Sequence, residues 1–161
     1  MNDWAMLGFP VYLLVAIIIS SIVLVGFAFS ILQMHNDAQV GIVQTQMEKI
    51  TSDAENMFEY ADAGTMVTVS VDFPGSMRFV VFGSLPRNGA SQPSDLSLDE
   101  DMSNSYYFVM KDGTVKTFSS NARFSGESTD EIALLFPGSY NLCVELVEDT
   151  GGVSFVKIYK K

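Results

Sequence analysis

A long run without charge, residues 9–32, places the first constraint on what this chain can fold into. The run reads FPVYLLVAIIISSIVLVGFAFSIL, and its polar side chains are limited to Tyr12 and the serines 20, 21 and 30. As an α-helix it would extend about 36 Å at about 1.5 Å per residue, which exceeds the hydrocarbon core of a bilayer, about 30 Å thick. Pro10 suits a first helical turn. The run therefore predicts a membrane-spanning helix.

A cleaved secretory signal is a poor alternative for this run. The preceding MNDWAML contains no Lys or Arg, the apolar stretch is too long, and residues 28–30 make a weak small-residue cleavage site. Every Lys and Arg lies at Lys49 or beyond, so the positive-inside rule gives no orientation. We expect the N-terminus to be cytoplasmic, because the long acidic segment after the run is the only part that can form an outside domain.

The helical pattern continues beyond the apolar run. Residues 35–63 contain no Pro and a single glycine, Gly41, and Gly64 provides a natural C-terminal stop. The prediction is one helix of about 50 residues that is apolar in its first half and amphipathic in its second. Apolar residues recur in steps of three and four at Val43, Met47, Ile50, Ala54, Met57 and Ala61.

After Gly64 the period changes from that of a helix to that of a strand. Pro74-Gly75 predicts a turn, and Asp112-Gly113 and Gly151-Gly152 predict the tight turns of two hairpins. About six strands result, mostly antiparallel, with at least one apolar face. The predicted fold is α+β, with the long helix packed on a small antiparallel sheet that forms a head at residues 64–161. Alternation is clearest at Val67, Val69, Val71 and Phe73.

Composition excludes several functional classes. A net charge of −10 and a pI near 4.3 argue against nucleic-acid binding, which needs clustered Lys and Arg. A single cysteine, Cys143, cannot form an intramolecular disulfide, and its strand-like surroundings predict a buried, inert thiol. The only histidine, His35, lies at the predicted membrane boundary. No nucleophile elbow, phosphate loop or metal-spaced His/Cys cluster is present, so we expect neither an enzyme nor a cofactor.

Two loops are rich in polar residues. The first, residues 86–101, contains Pro, Ser, Asn and acidic residues and is expected to be exposed and mobile; residues 125–131 are similar and shorter. The acidic residues of the first loop have the hard oxygens that Ca²⁺ prefers. The Gly and the later Glu of an EF-hand are missing, so a solvated acidic loop is favoured over a metal site. These acidic residues are Asp95, Asp99, Glu100 and Asp101.

The order of a long helix, apolar and then amphipathic, and an antiparallel β head resembles the type IV pilin superfamily. Its archaeal pilin-like members, whose heads are compact all-β domains, are the most similar. The phrases VTVSVDFPGSMRFVVFG and LFPGSYNLCVELVEDTGGVSFVKIY also resemble heads of archaeal envelope proteins. In this resemblance residues 1–8 correspond to a short leader, and Gly8-Phe9 stands where a prepilin peptidase would cut. The leader differs from the usual pattern because it has no Lys or Arg.

The resemblance implies that residues 9–34 wait in the membrane and later pack into a filament core, with residues 35–63 as the amphipathic continuation. The partners would be the membrane, other copies of the chain, and other pilins or a surface-layer protein. The first hypothesis is a major or minor subunit of an archaeal pilus-like surface filament, anchored in the membrane before assembly. The alternative is a stationary single-pass envelope protein whose head binds a surface-layer or filament partner. The expected assembly residues are Phe9, Tyr12, Leu13, Ile17, Ile18, Ile22, Leu24, Gly26, Phe27, Phe29 and Leu32.

Overall fold

The computed structural model describes the backbone of residues 4–86, 98 and 100–161, and the side chains of residues 11–86, 98 and 101–161. Over these residues the protein is α+β, with a long N-terminal helix and antiparallel-rich sheets. In chain order the elements are α1 (Trp4–Tyr60), β1 (Met66–Phe73), β2 (Met77–Phe82), a 3-10 helix (Glu100–Met102), β3 (Ser105–Met110), β4 (Val115–Ser119), β5 (Phe124–Ser125), β6 (Ala133–Leu135), β7 (Gly138–Glu148) and β8 (Ser154–Lys160).

The chain divides into two compact units, Met1–Ala38 and Gln39–Lys161. In the first unit the described residues all belong to α1. The second unit contains the remainder of α1 and every described strand, and we call it the head.

Helix α1 ends at Tyr60, slightly before the predicted end at residue 63. The amide of Ala61 still donates to the carbonyl oxygen of Met57, at 3.0 Å. Gly64 then adopts a φ of 91°, and its amide donates to the carbonyl oxygen of Leu146 at 2.7 Å. Because a left-handed backbone has no steric penalty at glycine, Gly64 turns the chain directly into β1.

The strands form two sheets rather than one. The first sheet has the order β1-β7-β8-β5 and the second the order β4-β3-β2-β6. All pairs are antiparallel except β5 with β8, which are parallel. Both predicted hairpins form, β3–β4 and β7–β8. The predicted number of about six strands was too low, because β5 and β6, two and three residues long, are too short to show a period of two.

The main core lies where α1 and one face of each sheet come together. The α1 residues that enter this core recur in steps of three and four, as an amphipathic helix requires. The same hydrophobic cluster includes alternate residues of both sheets, among them Val71 and Val144 of the first and Val80 and Phe108 of the second. The stripe on α1 consists of Val40, Val43, Met47, Ile50, Ala54 and Met57.

The second sheet is buried on its other face as well. Phe79 and Tyr107 pack edge to face there, with ring centroids 6.2 Å apart. Val81, Val109 and Ile132 complete this second cluster, and Leu98 packs against it. Burial on both faces accounts for the nearly continuous apolar sequence of β2 and β3. Leu98 belongs to the predicted exposed loop 86–101, most of which lies outside the described residues.

The prediction that residues 125–131 form an exposed loop is wrong for the first two residues of this segment. Ser125 is fully buried in β5, opposite Lys157 of β8, and Gly126 is buried beside it. A Cβ on Gly126 would lie 2.7 Å from the carbonyl oxygen of Ile132, so no larger residue fits without movement of the backbone. Exposure begins only at Glu127.

Cys143 has the buried thiol that the sequence predicts. It pairs across the first sheet with Tyr159, whose hydroxyl donates to a carboxylate oxygen of Glu145 at 2.9 Å. The hydrogen bonds to Cys143 and Glu145 raise the pKa of Tyr159. The thiol is therefore covered by a cross-strand polar pair on the face of the sheet turned away from the main core.

Truncation of the α1 stripe tests how much the head depends on the helix. Ile50 is fully buried, whereas Ile42, on the same helix, is 43% exposed. We expect Ile50→Ala to lower the free energy of unfolding of the head by about 2–5 kcal/mol, since it removes buried methyl groups and leaves a cavity. Ile42→Ala is the matched control and should cost far less. Denaturation of the full chain in mild detergent, followed by near-ultraviolet circular dichroism, measures both; equal losses would contradict the packing described.

The stability of the head should fall at alkaline pH. Burial raises the pKa of Tyr107, so the folded head holds the neutral phenol. In the unfolded chain a tyrosine ionises near pH 10. The contribution of neutral Tyr107 to the stability of the head is therefore fully present below about pH 10, and it is lost as the pH rises from there through the raised pKa of the folded state. Tyr107→Phe should make the loss of stability with rising pH shallower, as measured by denaturant unfolding at a series of pH values. An unchanged slope would remove Tyr107 as its cause.

Candidate assembly surface

The apolar part of α1 is exposed on every side within the chain. All residues from 11 to 38 are exposed, and among the described residues α1 is the one helix long and apolar enough to cross a membrane. The exposed fractions are high even for large side chains, 79% for Tyr12 and 69% for Phe29. In water this surface would be strongly unfavourable, so it needs lipid or other protein around it.

The predicted assembly residues are spread around the helix rather than along one stripe. At about 3.6 residues per turn, positions such as Ile17, Ile18 and Ile22 point in different directions. A helix that is apolar on all sides belongs in a bilayer or in the centre of a helical bundle. The described members of the predicted set are all exposed: Tyr12, Leu13, Ile17, Ile18, Ile22, Leu24, Gly26, Phe27, Phe29 and Leu32.

Two serines in this surface satisfy their own hydroxyl groups. Ser21 Oγ donates to the carbonyl oxygen of Ile17 at 2.8 Å, and Ser30 Oγ donates to that of Gly26 at 3.1 Å. An unsatisfied hydroxyl is costly in hydrocarbon, whereas a bond to the preceding turn removes that cost. Ser21 and Ser30 are therefore compatible with an apolar environment on all sides.

No close contact within the described chain requires glycine at position 26. A Cβ built on it would meet no atom within 4 Å, and the same holds for Gly41 further along α1. Glycine in a helix interior is less favourable than alanine by about 1 kcal/mol, so it is expected where another backbone must approach closely. Among the described residues of this surface, Gly26 is thus the position at which a second helix could approach most closely.

The predicted processing site can be placed only in part. The backbone at Gly8 and Phe9 is helical, because α1 begins at Trp4. The side chain of Phe9 lies outside the described residues, as do Asp95, Asp99 and the side chain of Glu100 in the acidic loop. Asp101 is exposed, and no group of three His, Cys, Asp or Glu side chains in the described part of the chain is arranged to hold a metal ion.

Two depressions lie on the described surface of the head. One, of about 410 Å³, is lined by Asp101, Ser103, Asn104, Ser120, Asn121 and Arg123. The other, of about 350 Å³, is lined by Gln46, Lys49, Ser70, Val71, Asp72, Ser139, Tyr140 and Asn141. Neither lining contains a histidine or a cysteine, the usual general base and the most reactive nucleophile.

The sequence did not predict three hydrogen bonds between α1 and the β part of the head. Ser76 Oγ donates to Gln39 Oε1 at 3.0 Å, and Ser120 Oγ donates to Glu55 Oε1 at 2.6 Å. Between them along the helix, the amide of Asp72 donates to Gln46 Oε1 at 3.3 Å. The partners lie far apart in the chain, so no local pattern announces them.

No protein-family model, curated protein or solved structure matches this chain.

Proposed function

We propose that this protein is a structural subunit, major or minor, of an archaeal type IV pilus-like surface filament, assembled through its N-terminal helix. The observation that carries the proposal is the fully exposed apolar half of α1, joined through one continuous helix to a head with its own core. The pilin-like order of a helix and then a β head supports it. Before assembly the chain resides in the membrane, with the N-terminus cytoplasmic and the head outside.

The physical basis is a change of surroundings for the same helix surface. In lipid, apolar helices gain little from contact with one another, so subunits remain separate. In a fibre surrounded by water, the same surface has to pack against copies of itself. Burial at about 25 cal/mol per Å² over a helix of this length yields tens of kcal/mol before entropy is subtracted. A single repeated heterologous contact leaves the assembly open, so it extends as a filament.

Particular residues have different roles in such a core. Phe27 and Phe29 supply large apolar area, while the β-branched residues 17–19 and 22 have stiff side chains that lose little freedom on packing. Gly26 provides the close approach of backbones described above.

The second candidate is a stationary single-pass envelope protein whose head binds a surface-layer or filament partner. One observation favours it: no Lys or Arg stands beside Gly8-Phe9, where a prepilin leader normally carries one. In this case the apolar half of α1 stays in the bilayer.

The mature N-terminus separates the two candidates. We expect mass spectrometry of the protein from native cells to find Phe9 as the first residue, and shearing of the cells to release the protein with filaments. An intact Met1, with all of the protein retained in the membrane fraction after shearing, would contradict the filament proposal and support the anchored envelope protein.

Gly26 and Gly41 give a matched pair of variants. We expect Gly26→Leu to leave the membrane-inserted monomer unchanged, since nothing in the chain lies near the added side chain. In the filament it should cost about 1–3 kcal/mol per subunit contact through overpacking, and lower the amount of sheared filament.

Gly41→Leu is the control for the added side chain and for helix propensity. Gly41 is also an exposed helical glycine with open space around it, but it lies beyond the apolar run. Equal filament yields from the two variants would argue against a core built on residues around Gly26.

A further inference from the structure

The chain enters the head at Gln39, and this residue identifies one end of the head. Gln39, the first residue of the head, accepts a hydrogen bond from Ser76 Oγ at 3.0 Å. The amide of Lys111, in the β3–β4 turn, donates to the carbonyl oxygen of Ser76 at 2.8 Å. The β1–β2 and β3–β4 turns therefore lie together beside Gln39.

The β6–β7 connection joins the same end. Phe73, the last residue of β1, pairs with Gly138, the first residue of β7, so Phe136 and Pro137 lie next to the β1–β2 turn. Phe136 is 51% exposed, although it is a large aromatic residue between two strands. We call residues 74–76, 111–114 and 136–137 the junction end of the head.

Basic residues gather toward the junction end. Lys111 lies in it, and Lys116 is in the adjacent part of β4. The C-terminal lysines lie in the same half of the first sheet: Lys160 Nζ is 4.5 Å from the ring centroid of Tyr140, and the amide of Lys161 donates to Asn141. The acidic residues in this part of the head are Asp72 and Asp112, and Asp37 lies two residues before Gln39 in the connection to the apolar segment.

Most described acidic residues lie toward the opposite end. That end contains the C-terminus of α1, the β7–β8 turn and the segments beside the 3-10 helix and before β6. Because the acidic residues are concentrated at the opposite end, electrostatic repulsion from an anionic surface is smallest at the junction end. The head is therefore oriented with its less acidic end toward such a surface. The acidic residues at the opposite end are Glu55, Glu59, Asp62, Asp101, Glu127, Asp130, Glu131, Glu148 and Asp149.

The covalent chain limits the distance between the junction end and the membrane while residues 9–34 are inserted. Residues 35–38 are all that separates Met34, the last residue of the apolar segment, from Gln39. Five residue steps extend at most about 18 Å. In a helix they rise only about 7.5 Å, comparable with the headgroup layer, about 5–8 Å on each side of a bilayer.

We propose that the junction end rests on the anionic lipid surface, with Phe136 in the boundary between headgroups and acyl chains and Lys111 facing lipid phosphates. Aromatic side chains favour this boundary, and lysines near it are attracted to anionic headgroups. The contact requires only that the apolar segment, residues 9–34, is in the membrane. It therefore holds for both functional candidates and fails independently of filament assembly.

Tryptophan fluorescence in vesicles tests the contact. Trp4 is the only tryptophan, so Trp4→Phe gives a silent background in which Phe136→Trp is the single reporter. The full chain is reconstituted at low protein density in phosphatidylcholine–phosphatidylglycerol vesicles containing lipids brominated high on their acyl chains. We expect blue-shifted emission and strong quenching by the brominated lipid.

Tyr60→Trp in the same background is the matched control, because Tyr60 is 78% exposed and lies at the opposite end of the head. It should emit as a water-exposed tryptophan and be insensitive to brominated lipid. Equal responses of the two reporters would overturn the proposal. So would quenching of Phe136→Trp that appears only at high protein density, since a second copy would then be the occupant.

Charge provides a second, independent readout. Lys111→Gln should lower the equilibrium constant for contact about fivefold in vesicles containing phosphatidylglycerol, and much less in pure phosphatidylcholine. High salt should likewise lower the equilibrium constant for contact of the protein in which Lys111 is unchanged. A contact with no dependence on Lys111, salt or phosphatidylglycerol would contradict the anionic surface as partner.

Discussion

The structure depends on the amphipathic stripe of α1, which closes the core of the head. Ile50 and its neighbours in the stripe are buried in one cluster with residues of both sheets, so the helix supplies an apolar surface that neither sheet has on its own. The same helix continues into the apolar segment, which is exposed on every side, so one continuous helix runs through that segment and into the head. Loss of the stripe would leave each sheet with an open apolar face.

The two halves of α1 illustrate two different uses of apolar residues. In the first half apolar side chains occur on all sides, and the polar atoms of Ser21 and Ser30 are satisfied by the helix itself. In the second half the apolar residues form a stripe, and the remaining faces carry polar groups such as Gln46, which is hydrogen-bonded to β1, and Glu55, which is hydrogen-bonded to Ser120 after β4. The change takes place near Gln39, where the head begins.

Much of this organisation could be predicted because it follows local periodicity. The helix with its stripe, β1, and the hairpins at Asp112-Gly113 and Gly151-Gly152 all leave a pattern within a few residues. The division into two sheets could not be predicted, because β5 is two residues long and its parallel partner β8 lies some thirty residues away in the chain. The apolar composition of the candidate assembly surface was evident from the sequence. The junction end could not be predicted, because the clustering of Phe136, Lys111 and Gln39 depends on long-range pairing.

Three of the polar contacts between α1 and the β part of the head have a mechanical consequence. Gln39, Gln46 and Glu55 are bonded at successive positions along the helix, to Ser76, Asp72 and Ser120. A force applied along the helix axis therefore acts in shear on all three hydrogen bonds and on the apolar stripe at the same time, rather than breaking the hydrogen bonds one after another. The apolar stripe provides most of the adhesion, while the polar contacts fix the register, since a slip by one helical turn would break all three at once.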